Sequence, residues 1–181
     1  MRLFMSALLV SLALVSPSIV SGQGPRGGTR TVALTSSEAA ALKFMREEEK
    51  LARDVYLTLY QEWGAAIFYN ISSAEQRHMD AILNLLVKYH LPDPASQQVG
   101  VFTDHSLQAL YDQIIVDGSE SLLAAMQVGV LIEQVDIEDL QEAIAGTAKT
   151  DLRQVYGNLL NGSQNHLAAF TAQVESLGGN P

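Results

Sequence analysis

A chain of 181 residues is one domain's length and is long enough to bury a substantial apolar core. Its net charge of −9 disfavours a nucleic-acid backbone as a partner. It has no cysteine, which excludes disulfides, thiolate zinc sites, iron–sulfur clusters and thiol nucleophiles together. Any metal must then be held by Glu, Asp and His, donors that suit iron, manganese, zinc or copper.

Residues 1–22 read as a secretory signal peptide. Arg2 makes a short basic start, Leu3 to Val15 is apolar except for serines, and Val20-Ser21-Gly22 has the small-x-small character of a cleavage site. A membrane anchor needs about twenty apolar residues, and the absent cysteine excludes a lipid anchor. The expectation is export, removal of the leader, no stable membrane insertion afterwards, and a periplasmic or secreted location. Residues 23–34 follow as a flexible Gly/Arg/Pro linker, and 35–181 form the folded domain.

Thr35-Ser36-Ser37-Glu38 is a capping box. Leu42, Met45, Glu49, Ala52 and Tyr56 then recur at alternating spacings of three and four, which predicts a first long helix to about Trp63, ended by Gly64. Glu47, Glu48 and Glu49 form a charge run of the kind that usually faces solvent. Only Glu49 falls on the inner stripe, with Glu48 in reserve. A second long helix is expected over about 65–90, before Leu91-Pro92-Asp93-Pro94. A shorter version would start at Ser72, with Ser72-x-x-Glu75 as a capping box; the apolar spacing back through Ile71, Phe68 and Ile67 favours the longer one. Glu75 and His78 lie three apart on its apolar stripe, so they project together among Ile71, Ala74 and Ile82. Burying them is costly unless they are paired or bound to a metal.

Residues 92–118 form a long connection with a short helix over about 106–116. Antiparallel neighbours need only two to eight residues or so, so this length predicts a crossover that brings the next long helix back parallel to the second. The third long helix, about 120–145, carries Leu122, Ala125, Gly129, Ile132, Glu133, Asp136 and Leu140 inward, while Glu138 and Asp139 read as solvated. The fourth, about 148–177, carries Leu152, Val155, Leu159, Gly162, Ser163, His166, Phe170 and Val174 inward. Gly162 in a helix interior costs about 1 kcal/mol and points to the close approach of another group.

The fold class expected is therefore all-α, a four-helix bundle with one long crossover between its second and third helices. Each helix carries an acid or imidazole at mid-length: Glu49, Glu75 with His78, Glu133 with Asp136, and His166. Individually these have bland readings, since a lone buried His is often a satisfied core residue and an inward Glu can pair with Arg53 or Arg77. Four helices doing so together match the ferritin-like plan, a Glu from each of two helices and Glu-x-x-His from each of the other two.

Leu42 to Leu177 resembles a ferritin-like family known mainly as a prokaryotic domain of unknown function, and more distantly rubrerythrin. The resemblance is carried by Glu49-Lys-Leu-Ala-Arg-Asp-Val-Tyr56, Ile71-Ser-Ser-Ala-Glu75-Gln-Arg-His78-Met-Asp80, Val128-Gly-Val-Leu-Ile-Glu133-Gln-Val-Asp136 and Gly162-Ser-Gln-Asn-His166. It implies Glu49, Glu75, His78, Glu133, Asp136 and His166 as metal ligands, with Tyr56 supporting Glu49 and serving as the catalytic candidate. The chain departs from rubrerythrin where Ser163-x-x-His166 stands for Glu-x-x-His, and it lacks the rubredoxin-like cysteine module. Asp136, one turn past Glu133, is the residue expected to compensate.

Three functions follow from this pattern. One is a redox enzyme of peroxidase or ferroxidase type, with two divalent ions, preferentially iron, and an external electron donor. The second is non-catalytic holding of copper, zinc, manganese or iron in the exported compartment. The third is a metal-free structural bundle whose polar residues satisfy one another. A homodimer is compatible with each.

Overall fold

The computed structural model describes residues 33–181; the signal peptide expected over 1–22 and the linker as far as residue 32 lie outside these. The described residues form five helices and no strand: α1 (Ser36–Trp63), α2 (Ala66–Lys88), α3 (His105–Gly118), α4 (Leu122–Ala145) and α5 (Thr150–Ser176). The all-helical expectation holds, while the helix count is five rather than four. The extra helix, α3, lies inside the long connection and is three residues longer than the short helix expected there.

Local signals explain the boundaries. The capping box of α1 forms as read: the Thr35 hydroxyl accepts from the Glu38 amide at 3.2 Å and Glu38 accepts from the Thr35 amide at 2.8 Å. Gly64 ends α1 in the left-handed conformation, φ 64°. The Ser72 capping box is not formed, because Ser72 lies inside α2 and its hydroxyl donates to the Tyr69 carbonyl at 2.9 Å. α2 stops two residues short of His90. His90 itself adopts φ 57°, and the amides of His90 and Leu91 donate back to the carbonyls of Val87 and Leu86. That is a Schellman closure with histidine where glycine is usual.

Backbone packing runs in a ring: α1 on α2, α2 on α5, α5 on α4 and α4 on α1, with α3 laid against α1 and α4. The contacts at helix ends set the directions. Thr147, just beyond α4, donates to Glu38 in the first turn of α1 at 2.6 Å. Trp63, at the end of α1, donates to the Gly118 carbonyl just before α4 at 3.0 Å. α1 and α4 are therefore antiparallel. Lys88 at the end of α2 meets Asp151 at the start of α5, and Phe68 early in α2 packs on Phe170 late in α5. With α1 and α2 joined by a two-residue turn, α2 and α4 run in the same direction.

The connection from α2 to α3 travels up the polar face of α1. Arg46 grips Asp93 with two donors, Nε at 3.0 Å and Nη2 at 2.8 Å. The Lys50 ammonium donates to the Gln98 carbonyl at 2.9 Å and pairs with Asp54. Asp54 accepts from the Gly100 amide at 2.9 Å, and Glu47 accepts from the amides of Thr103 and Asp104 at 2.5 and 3.0 Å. This overturns the solvated reading of the acidic run. Glu47 is buried because the connection must find partners for its own backbone amides; Glu48 is buried as well, and Glu49, placed on the inner stripe from the sequence, is buried against His78.

The apolar core consists of two separate clusters. One gathers Val55, Tyr56, Leu59, Phe68, Met126, Val130, Phe170 and Val174. The other gathers Leu42, Met45, Ile82, Leu86, Leu140, Leu152 and Leu159. On each of α1, α2, α4 and α5, the positions between these clusters are polar: Glu49, Glu75 and His78, Glu133 and Asp136, Ser163 and His166.

Candidate metal centre

Glu75 of α2 is the middle of this polar layer. Its Oε2 lies 2.8 Å from His78 Nδ1 and its Oε1 lies 2.7 Å from His166 Nδ1. Glu49 of α1 brings Oε2 to 3.1 Å from His78 Nδ1, and Glu133 of α4 brings Oε2 to 3.5 Å from His166 Nδ1. The two imidazoles stack with centroids 5.6 Å apart, so both serve one cluster. Two groups of convergent donor atoms result, Glu49–Glu75–His78 and Glu75–Glu133–His166, sharing Glu75. Asp136 belongs to neither group: its Oδ2 accepts from the Ser163 hydroxyl, and its Oδ1 is buried without a hydrogen-bond partner.

Tyr56 stands at the edge of the cluster and donates to Glu133 Oε1 at 2.6 Å. Its partner is thus Glu133 on α4, not Glu49, one turn and more away on its own helix. Phe170 presses on the Tyr56 ring at a centroid distance of 5.1 Å. Gly129 makes room for that contact, since a Cβ there would stand 2.5 Å from the Phe170 ring. Gly162 has the same role for the site itself. A Cβ at Gly162 would lie 2.5 Å from His78 Nε2 and 2.6 Å from Cε1, so the group whose approach the sequence implied is the His78 imidazole.

The residues fit a bound cation on two grounds. First, Glu49 Oε1, Glu75 Oε1 and His166 Nδ1 are buried with no hydrogen-bond partner, even though the last two lie close together. Donor atoms of these residues, with those of His78 and Glu133, converge in two groups, the atoms of each within 4.8 Å of one another. Second, the neighbouring guanidinium groups are engaged elsewhere. Arg53 donates to Asp54 and Gln76, and Arg77 to the Ser73 carbonyl, so neither neutralises Glu75. A nitrogen and carboxylate donor set of this kind suits iron, manganese, zinc or copper.

Electrostatics shows the same deficit of positive charge. Burial, reinforced by Glu75, lifts Glu49 to about 8, and burial and Glu75 lift Glu133 to about 7. Burial also raises Asp136 well above the carboxylate range, helped by Glu49 and Glu133. Glu75 behaves oppositely: burial works against its charge, but His166 and His78 prevail and draw it down to about 2. Burial likewise opposes the imidazolium forms, yet Glu49 and Glu75 hold His78 up to about 11, and Glu133 and Glu75 hold His166 up to about 9. A cation entering the layer takes the place of these protons.

A histidine that binds metal through one ring nitrogen usually has the other held by an acceptor. Among the described residues neither Nε2 has such an acceptor; the His78 Nε2 rests on Gly162 instead. Asp139, read from the sequence as solvated, is half-buried, and after burial itself and Asp136 it contributes to raising Glu48 well above the carboxylate range. The available signal was its spacing, three past Asp136 and six past Glu133.

Residues 38–180 match a family described as an uncharacterized protein domain, DUF2202. The chain is similar to the uncharacterized protein MJ0754 of Methanocaldococcus jannaschii, 45% identical over 148 residues, 81% of this chain and 80% of that protein. It is also similar to the crystal structure of hypothetical protein MJ0754 from Methanococcus jannaschii DSM 2661, with TM-score 0.82 and 43% identity over 86% of this chain and 89% of that one. With the family match spanning the helical domain and its charged layer, the chain belongs to the DUF2202 family.

Proposed function

We propose that this protein is an exported metal-binding protein of ferritin-like architecture. It holds two divalent ions between Glu49, Glu75, His78, Glu133 and His166, with iron the first choice and oxygen or peroxide the substrate. The observation that carries the reading is the Glu75 carboxylate, which turns one oxygen to each histidine. A carboxylate so placed suits two ions better than one. The ring of α1, α2, α5 and α4, with α2 and α4 running in the same direction, supports the four-helix ferritin-like plan, with α3 as an addition inside its crossover.

Iron held in such a layer would supply electrons to oxygen or peroxide. The chain's own residues do the rest. His78 and His166, whose Nδ1 atoms face the carboxylates, would hold the ions together with Glu75, Glu49 and Glu133. Tyr56, kept protonated by burial and by Glu133, donates to that carboxylate and orients it. The two imidazoles are the parts of the layer nearest solvent, 13% and 12% exposed, and an ion or small oxidant enters past them. The electron donor is external, since the chain carries no cysteine cluster.

Ser163 favours a second reading, the holding of copper, zinc or manganese without turnover. A hydroxyl stands where rubrerythrin-like proteins carry a carboxylate, and it is bonded to Asp136. Metal content after anaerobic purification from the native host tests both readings, and a change in visible absorption on adding peroxide separates them. A protein that neither retains nor takes up any of these metals rejects both. Amino-terminal sequencing tests export, with a mature start near Gln23 expected and a retained Met1 in the cytoplasmic fraction against it.

A further inference from the structure

Tyr56, Tyr60 and Trp63 stand four and then three residues apart on α1, so they lie on one side of the helix. They climb about 10 Å from the charged layer to the end of the bundle where α1 turns into α2. Tyr56 is wholly buried and its hydroxyl donates to Glu133 Oε1. Tyr60 is 37% exposed, and its ring lies 5.4 Å, centroid to centroid, from that of Tyr69 on α2, which is 54% exposed. Phe68, next to Tyr69 in the chain, stacks on Tyr56 at 6.3 Å. A continuous set of rings thus joins the layer to the surface.

Packing accounts for Phe68 and Phe170, which are fully buried, but not for Tyr60 and Tyr69, which are among the exposed large side chains. In a chain without cysteine, tyrosine and tryptophan are the side chains that most readily give up a single electron. The chain has six tyrosines and one tryptophan, and four of these seven are Tyr56, Tyr60, Trp63 and Tyr69. Of the others, Tyr89 and Tyr156 pack in the apolar cluster beyond the layer, and Tyr111 lies against Phe102. The oxidisable rings are therefore gathered on one side of the centre and reach solvent there.

We infer that Tyr56, Tyr60 and Tyr69, with Trp63 beside them, form the path by which single electrons from an external donor reach the charged layer, with Tyr69 as the point of entry. The inference rests on the iron-and-peroxide reading above. Reducing one hydrogen peroxide to two waters takes two electrons from bound iron(II), which becomes iron(III), and two protons from solvent. The donor, a one-electron reductant, restores the electrons one at a time. In each transfer Tyr56 gives an electron to the layer and passes its phenol proton along the 2.6 Å hydrogen bond to Glu133 Oε1. The electron arriving from Tyr60, itself refilled through Tyr69, brings that proton back. Tyr60 and Tyr69 exchange theirs with water.

The test is to load the full chain with iron(II) anaerobically and add excess hydrogen peroxide with no donor present, so that oxidation runs outward along the same rings. Freeze-quenched samples should show a phenoxyl radical by electron paramagnetic resonance. Peptide mass spectrometry should find oxidation at Tyr60, Tyr69 and Trp63 well above that at Tyr89 and Tyr111. Tyr56→Phe should reduce oxidation at Tyr60 and Tyr69 to the level of an iron-free control, although both stay exposed. The Tyr60→Phe/Tyr69→Phe double variant should keep iron uptake and the absorption change with peroxide, and hold the radical on Tyr56 longer. The path is overturned if Tyr56→Phe binds iron and leaves oxidation at Tyr60 and Tyr69 unchanged, or if oxidation spreads evenly over all the tyrosines. If Tyr56→Phe binds no iron, the double variant decides, and a radical that decays as fast as in the parent overturns the path. Failure of the iron reading looks different: the parent then binds no iron or shows no absorption change with peroxide, and both readings fall together.

Discussion

Gly162 and Glu49 show how single side chains decide the site. Alanine at position 162 gains helix propensity of up to about 1 kcal/mol, but its Cβ would occupy the space of the His78 ring. Gly162→Ala should therefore leave the unfolding transition of metal-free protein within about 1 kcal/mol of the parent while weakening metal uptake roughly tenfold or more. Paired thermal melts with and without metal would read both effects, and undiminished uptake would show that the His78 ring position is irrelevant. Glu49 offers the complementary test. Burial keeps its carboxyl largely protonated near neutral pH in the absence of a cation, so glutamine mimics that state. Glu49→Gln should cost the metal-free protein less than about 1 kcal/mol and abolish stabilisation by added metal at the His78 position. A large destabilisation of metal-free protein would favour the purely structural reading.

The helices and their connection carry the stability that the polar layer does not. Asp54 is completely buried with Lys50 and Arg53 and also receives the Gly100 amide. Asp54→Ala should destabilise by about 3–5 kcal/mol in urea unfolding, because it strands the fully buried Lys50 ammonium. A change below 1 kcal/mol or so would mean that Gln98 and the Phe102 ring suffice for Lys50. Glu38 clamps the start of α1 to the turn after α4. Burial acts against its charge, but hydrogen bonds from Thr147 and Thr35 outweigh it and hold its pKa below 4.5. Its folded-state pKa is thus below that of the unfolded chain, so its contribution is present above about pH 4.5 and lost as pH falls through the lower value. The stability gap between the parent and Glu38→Gln should be seen at pH 6 and close on acidification. A gap that is constant with pH would contradict this.

For the molecule as a whole, the polar layer between two apolar clusters makes ligand binding and folding parts of one equilibrium. A cation bound only by the folded state adds about 2.7 kcal/mol at a hundredfold excess over its Kd. Iron, manganese, zinc or copper should raise the midpoint of thermal unfolding and a chelator should reverse it; no shift with any of the four would leave only the metal-free bundle. The crossover belongs to this level too. It lets α2 and α4 run in the same direction, so that Glu75 and Glu133 reach the same imidazole, that of His166. The strap it lays along α1 buries Glu47.

Much of this was legible in the residue pattern because helical periodicity is local. The stripes through Glu49, Glu75 with His78, Glu133 and His166, the capping box at Thr35 and the stop at Gly64 all depend on neighbours within a turn or two. The cost of burying acids and imidazoles on apolar stripes then pointed to a common site. What the pattern did not contain was pairing between distant segments. That Glu47 and Lys50 would be buried depended on where residues 93–104 came to lie. That Tyr56 would serve Glu133 rather than Glu49 depended on the angular position of α4 about α1. Asp136 pairs with Ser163 and joins neither histidine-bearing group, because its short side chain reaches only what its own turn of helix faces. Periodicity tells which side of a helix is inward; only packing decides which inward groups meet.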